Sequence, residues 1–389
     1  MPPRIPPEVV DHILDNLELP IDYKSLCAST LVCSEWLFVA RNHLFSTIHL
    51  REDSLAPRRN AKGFFHIVRL SPGIGLAVKS LSVKGSLSVL SSPVIPFDDI
   101  ISLLGQLSHL QHLTLSHMNP PSSDTEFPTT VPHPMLRTLS LTSLCYRPGQ
   151  ISYGNTSILR FLDLFSNVNQ VRIERVDILG HKVLPSSVTL SHLAASSIVL
   201  GSETSSNQTF LDILRLSPTL QFLTELDVTF ARFTNVLPNL CSLLGDRKCV
   251  IRTLTLRHYL DQDSWSKEDP NAAEDAVQEL LCPTLQGMYS LRSFRIFVEW
   301  NREDALFWDV CPSILRALPS ASIEELHFYY STLRAPVDLD FFDGILQMHA
   351  HLRMVCVYAP WHRGAEVPVR TLDGGKVVRF LHWEDDSSW

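Results

Sequence analysis

One six-residue pattern recurs along this chain: a leucine-type residue, two variable positions, then two more apolar residues separated by one. It occurs at Leu110-Gln-His-Leu-Thr-Leu, Leu136-Arg-Thr-Leu-Ser-Leu, Leu159-Arg-Phe-Leu-Asp-Leu, Leu223-Thr-Glu-Leu-Asp-Val and Ile251-Arg-Thr-Leu-Thr-Leu. It continues at Leu291-Arg-Ser-Phe-Arg-Ile, Ile323-Glu-Glu-Leu-His-Phe and Leu352-Arg-Met-Val-Cys-Val. The alternation at its end is that of a short strand. One such strand cannot bury its own apolar face, so each copy must stack on the next.

The copies are separated by 26, 23, 64, 28, 40, 32 and 29 residues. These intervals straddle the roughly 20 to 29 residues of leucine-rich repeats, and the longest is expected to span extra units. Helical stretches lie between strands, as at Phe210 to Leu216, Ala273 to Leu281 and Phe341 to His349. The expected fold is therefore α/β, an irregular leucine-rich-repeat-like solenoid over 49–389. At about 367–383, two short strands flank Asp373-Gly374-Gly375, whose glycines suit a tight hairpin turn that would cap the array.

If the apolar strand residues point inward, those between them line an open sheet face, where solenoids usually bind. Early strands offer His112, Thr114, Ser140 and Thr142. Later ones offer Glu225, Asp227, Thr255, Glu325 and Cys356, together with Arg257, Arg295, Phe297, Glu299, His327, Tyr329 and Tyr358. The last seven are the candidate substrate-binding face, because aromatic and arginine side chains dominate interface hot spots. Cross-strand stacking of Phe297, Tyr329 and Tyr358 is the competing explanation.

Residues 5 to 46 have a different period and are expected to form three short helices. Pro6 and Pro7 suit a first turn, and Glu8 complements its positive end. Val9, Val10, Ile13, Leu14 and Leu17 form one stripe of the first helix. Pro20 ends it, Asp22 is placed to cap the second, and Ser34 to cap the third, which carries Trp36, Leu37, Ala40, Leu44 and Phe45. About 40 residues cannot hide this many large apolar groups internally, so part of the surface should be covered by a neighbour.

The run Ile5-Pro6-Pro7-Glu8 through Leu17, then Asp22 to Leu26, Leu31-Val32-Cys33-Ser34-Glu-Trp36, and Ala40 to Phe45 resembles the F-box over about residues 4–48, which sets an expected F-box domain at 1–48. The stretch from Asn60 to Ser82 resembles the segment C-terminal to the F-box in many proteins of mushroom-forming fungi. The resemblance implies that the helices pack on a Skp-type adaptor and through it on a cullin, while the repeats present a protein substrate for ubiquitin transfer. Carried over residue by residue, the adaptor-facing positions are Pro6, Ile13, Leu14, Leu17, Leu26, Leu31, Val32 and Trp36. The function it implies is substrate receptor of an SCF-type cullin-RING ligase. The alternative is a non-catalytic repeat scaffold whose degenerate F-box joins no ligase.

Composition narrows the remaining classes. A formal charge of -8, with no long basic run, gives no electrostatic footprint for nucleic acid. No apolar stretch is long enough for a membrane span, and the eight cysteines lack any Cys-x-x-Cys pair, as expected of an intracellular protein, cytoplasmic or nuclear, with reduced thiols. No nucleophile elbow, phosphate loop, dinucleotide fingerprint or zinc-protease motif is present. His109, His112 and His117 fall in one strand motif whose alternation separates the first two, and Asp338, Asp340 and Asp343 lack the glycine and glutamate of a calcium loop. The expectation is a protein with no enzymatic chemistry, cofactor or metal.

Overall fold

Leu81, Leu113 and Leu139 stand side by side on three successive parallel strands, with Val83, Leu115 and Leu141 beside one another two residues on, and all six are fully buried. The apolar positions of the recurring pattern thus form ladders across the sheet. The computed structural model describes residues 5–17, 21–51, 61–85, 97–118, 135–144, 157–176, 190–201, 205–230, 232–258, 269–298, 305–330, 344, 348–349, 351–359, 369–371 and 377–382. The chain divides into two compact units, Met1–Arg172 with Val176–Gly180, and Ile173–Arg175 with His181–Trp389. The architecture is α/β, with strands that succeed one another in chain order and pair in parallel.

In the first unit the strand order is β1 (Thr47–Arg51), β2 (Ser80–Lys84), β3 (His112–Ser116), β4 (Leu136–Thr142) and β5 (Val168–Glu174), whose last two residues are counted with the second unit. Three helices precede them: α1 (Pro7–Asp15), α2 (Tyr23–Ser29) and α3 (Ser34–Phe45). Further helices α4 (Ala61–Leu70), α5 (Pro72–Ala77), α6 (Phe97–Leu104) and α7 (Ser157–Leu162) alternate with the strands. α3 packs on α5, and the Lys79 and Ser80 amides both donate to the Ser46 carbonyl. The expected boundary at residue 48 therefore falls inside β1, which pairs with β2 along its whole length.

The second unit runs β6 (Ala195–Leu200), β7 (Glu225–Phe230), β8 (Thr253–His258), β9 (Ser293–Val298), β10 (Glu325–Tyr330) and β11 (Met354–Ala359). β12 (Val369–Thr371) pairs antiparallel with β13 (Val377–His382), which lies parallel beside β11. The turn at Asp373 to Gly375 lies outside the described residues. Between the strands lie α8 (Ser205–Leu216), α9 (Phe233–Leu244), α10 (Pro270–Ala276), a π-helical segment Val277–Leu281, α11 (Cys282–Gln286) and α12 (Ala305–Ala317). The expected helix at 273–281 is thus one part of a longer run, 270–286. The expected helix at 341–349 lies mostly outside the described residues, as do Asp338, Asp340 and Asp343.

One copy of the pattern is not a strand. Leu159, Phe161 and Leu162 lie buried in α7, and the strand of that repeat is β5, where Val168, Val171 and Ile173 take the three apolar positions. A Leu159/Leu162 spacing of three also suits a helix, whereas the β-branched residues favour the extended chain. The next copy, Ala195, Ile198 and Leu200 on β6, divides the long interval, and Val78, Leu81 and Val83 at β2 add a copy near the start.

The residue just past β3, β4 and β5 is His117, Ser143 or Arg175, each left-handed with φ of 53°, 52° and 50°. After β2 that position is Gly85, whose amide donates to the Ser116 carbonyl, and a Cβ there would overlap the His117 carbonyl oxygen. Gly85→Ala is expected to destabilise the fold by about 1–3 kcal/mol, because neither backbone can yield without breaking the ladder. A thermal unfolding midpoint equal to wild type would contradict this.

Candidate functional site

Three short helices this rich in apolar residues cannot enclose all of them, and here they do not. Val10, Leu14, Leu26, Val39 and Ala40 form a small buried core, with Leu17, Trp36 and Leu44 packed against it. His43 ties α3 to α1: its Nε2 lies 2.8 Å from Asp11 Oδ1 and its Nδ1 lies 3.8 Å from Asp15 Oδ1. These three residues form the one grouping among the described residues close enough to hold a cation. Both carboxylates are exposed, and the imidazole already bonds to one of them.

Neither expected cap makes a side-chain capping bond to its helix. Asp22 occupies the N-cap of α2 without accepting one, and the N-cap of α3 is Cys33, with Ser34 the first helical residue. The stripe of α1 is wider than the core it faces, because Val10 and Leu14 are buried while Val9 and Ile13 stay nearly half exposed. Of the eight candidate adaptor-facing residues, Leu14 and Leu26 are therefore internal, and Leu17 and Trp36 are partly so. Pro6, Ile13, Leu31 and Val32 are exposed, Leu31 by 86%.

Ile5, Val9, Ile21, Tyr23 and Phe38 are exposed as well, and the sequence pattern did not single them out as contact residues. The excess of apolar groups over core volume was their only signal. Eight of the 18 large apolar side chains exposed among the described residues lie in the first 38 positions. That concentration leaves a largely apolar surface open to water over the N-terminal segment.

The second candidate lies on the sheet of the second unit. In register, Asp227, Thr255, Arg295, His327 and Cys356 form one row, and Thr229, Arg257, Phe297, Tyr329 and Tyr358 form the next. Phe297 and Tyr329 stack with centroids 3.8 Å apart, and Tyr329 and Tyr358 with centroids 4.2 Å apart, their rings nearly parallel in both cases. The Arg257 guanidinium sits 3.9 Å from the Phe297 centroid while gripping Asp227 through Nε and a terminal nitrogen, the shortest contact 2.6 Å. His327 lies between Glu325 Oε2 and the Tyr358 hydroxyl, each 3.4 Å away.

This row is a second core, not an open face. Phe297, His327, Tyr329, Cys356 and Tyr358 are all under 9% exposed, so cross-strand stacking accounts for them. Tyr329 is enclosed between two rings and is 1% exposed. Arg257 and Arg295 remain partly accessible, with Arg295 Nε buried and without a hydrogen-bond partner. Glu299 lies outside the described residues. The error of expectation has a simple origin: strand alternation assigns a side chain to one face but does not say whether that face is covered.

His109 and His112 have separate partners, the Leu76 carbonyl and the Thr138 hydroxyl, and do not converge. Burial pushes the Cys356 thiol up to about 11, although the Tyr358 hydroxyl and nearby arginines pull the other way. The thiols of Cys241 and Cys311 are raised by burial to about 11 and about 12. A neutral buried thiol is a poor nucleophile. No protein-family model matches the chain, and no curated protein matches it.

The stack generates two expected outcomes. Tyr329→Ala should lower stability by about 3–5 kcal/mol, since it empties the site between two rings, and chemical denaturation measures this. At about pH 8 iodoacetamide should label Cys356 only after unfolding, whereas exposed Cys33 should label in the native protein. Equal native labelling by mass spectrometry would contradict the burial of Cys356.

Proposed function

We propose that the chain is a substrate-recognition subunit of an SCF-type cullin-RING ubiquitin ligase, with no chemistry of its own. In this reading α1–α3 are an F-box that docks on a Skp-type adaptor, and the strand–helix repeats are a leucine-rich-repeat-like array that holds a protein substrate. The observation that carries it is the exposed apolar set on these helices and the segments flanking them, Ile5 before α1, Val9 and Ile13 on α1, Leu31 and Val32 in the turn between α2 and α3, and Phe38 on α3, beside a core of only five buried residues. A surface of this kind in water favours a protein partner that removes it from solvent, at about 25 cal/mol per Å² of apolar area covered. The order of residues that resembles the F-box supplies the identity of that partner.

The burial pattern selects the test. Leu14 is buried, so a charge there would cost several kcal/mol and unfold the helices, and loss of binding would say nothing about an interface. Leu31 and Val32 are exposed, so Leu31→Asp with Val32→Asp should leave the melting temperature nearly unchanged. Co-purification of the full chain with a Skp-type adaptor should yield a stoichiometric complex that this double variant loses. A wild-type chain that recovers no adaptor, or a variant that recovers as much as wild type, would reject the receptor assignment. The first result would favour a repeat scaffold outside any ligase.

A further inference from the structure

In the second unit the backbone ladder begins one residue before the strands. The Arg252 amide donates to the Thr224 carbonyl, Arg292 to Arg252, Glu324 to Arg292 and Arg353 to Glu324, all within 2.7–2.8 Å. These residues are therefore consecutive rungs along the edge where the chain runs into its strands, each about 4.8 Å from the next. Glu324 is shared, with Arg292 Nε at 3.7 Å and a terminal nitrogen of Arg353 at 4.0 Å. Among the described residues, no ion pair takes Arg252, nor exposed Arg247 and Lys248 in the loop before it. The carboxylate of Asp246 in that loop is turned to the Lys248 amide, 2.8 Å away.

Exposed apolar side chains stand close in sequence to the same rungs. Phe222 and Val250 stand two residues before the rungs Thr224 and Arg252, and Tyr289 stands three before Arg292. They are 51%, 40% and 78% exposed. Among the described residues, five cations stand against Glu324 and Asp246 along this strip, with Glu225 and Glu325 one position beyond the rungs, so the cations left without an ion pair are Arg252, Arg247 and Lys248 at its β8 end.

We propose that this strip is a docking site for an acidic segment of a protein partner that also carries large apolar side chains. Its carboxylates would meet Arg252, Arg292 and Arg353, and its apolar groups would cover Phe222, Val250 and Tyr289. Charge complementarity selects an acidic partner. A protein is favoured over a nucleic acid because Glu324 interrupts the arginine row, which an evenly charged phosphate backbone would have to cross, and because Val250 offers no face for a base. The site lies in the second unit and holds whether or not the N-terminal helices dock on an adaptor.

The test is fluorescence anisotropy on the full chain, with a labelled peptide alternating Asp or Glu with Leu or Phe. Three comparison probes are the same peptide with Lys for the acids, the same peptide with Ser for the apolar residues, and single-stranded polyuridine. The acidic-apolar peptide should bind, both altered peptides should bind about ten-fold more weakly or worse, and added salt should weaken the complex. Arg252→Glu with Tyr289→Ser should weaken binding about ten-fold at unchanged melting temperature. Arg252→Glu alone, at a side chain without an ion pair, replaces the double variant if that one unfolds. No binding by wild type, equal binding of the basic peptide, unaltered binding by the variants, or tighter binding of polyuridine would each overturn the proposal.

Discussion

The lateral register of the parallel strands positions the side chains on both faces of the sheet and along its edge. Because β7 to β11 pair residue for residue without a slip, Leu226, Leu254, Phe294, Leu326 and Val355 form one buried row, and Val228, Leu256, Ile296, Phe328 and Val357 form another. A one-residue slip of any strand would turn its apolar set to the opposite face and expose it. The same register extends backward to the arginine rungs and sideways to the aromatic stack. Neither feature would exist as a line of neighbours without it.

On the opposite face of those strands the aromatic stack does a second job. Phe297, Tyr329 and Tyr358 contribute one ring each from β9, β10 and β11, and Arg257 on β8 closes the end of the row by facing Phe297 while held by Asp227 on β7. Five successive strands are thus linked through side chains as well as through the backbone. Large rings in contact contribute beyond their buried area, and an arginine over a ring face adds an electrostatic component. The consequence for function is negative for that row. Its polar and aromatic groups are committed to one another, which leaves the edges of the strands and the N-terminal helices as the more open surfaces.

Those helices show the opposite balance. Their core is five residues, their ties to the first repeat are α3 on α5 and two amides on Ser46, and much of their apolar surface faces solvent. A segment with so little of its own core gains stability from whatever covers it.

The sequence by itself determined the repeating strand unit, the parallel α/β class and the three N-terminal helices, because each is written as a local period of apolar residues. It misplaced one strand at Leu159, where a spacing of three apolar residues satisfies both a helix and the pattern, and it passed over β5 and β6, whose Val, Ile and Ala positions dilute the leucine signature. Only the tertiary structure decided which apolar residues are used up internally. Leu14 and Leu31 are equally apolar in sequence, yet one fills the core and the other faces water; Tyr329 and Tyr289 differ in the same way. Periodicity fixes the direction of a side chain relative to its own element, whereas burial depends on what other elements place opposite it.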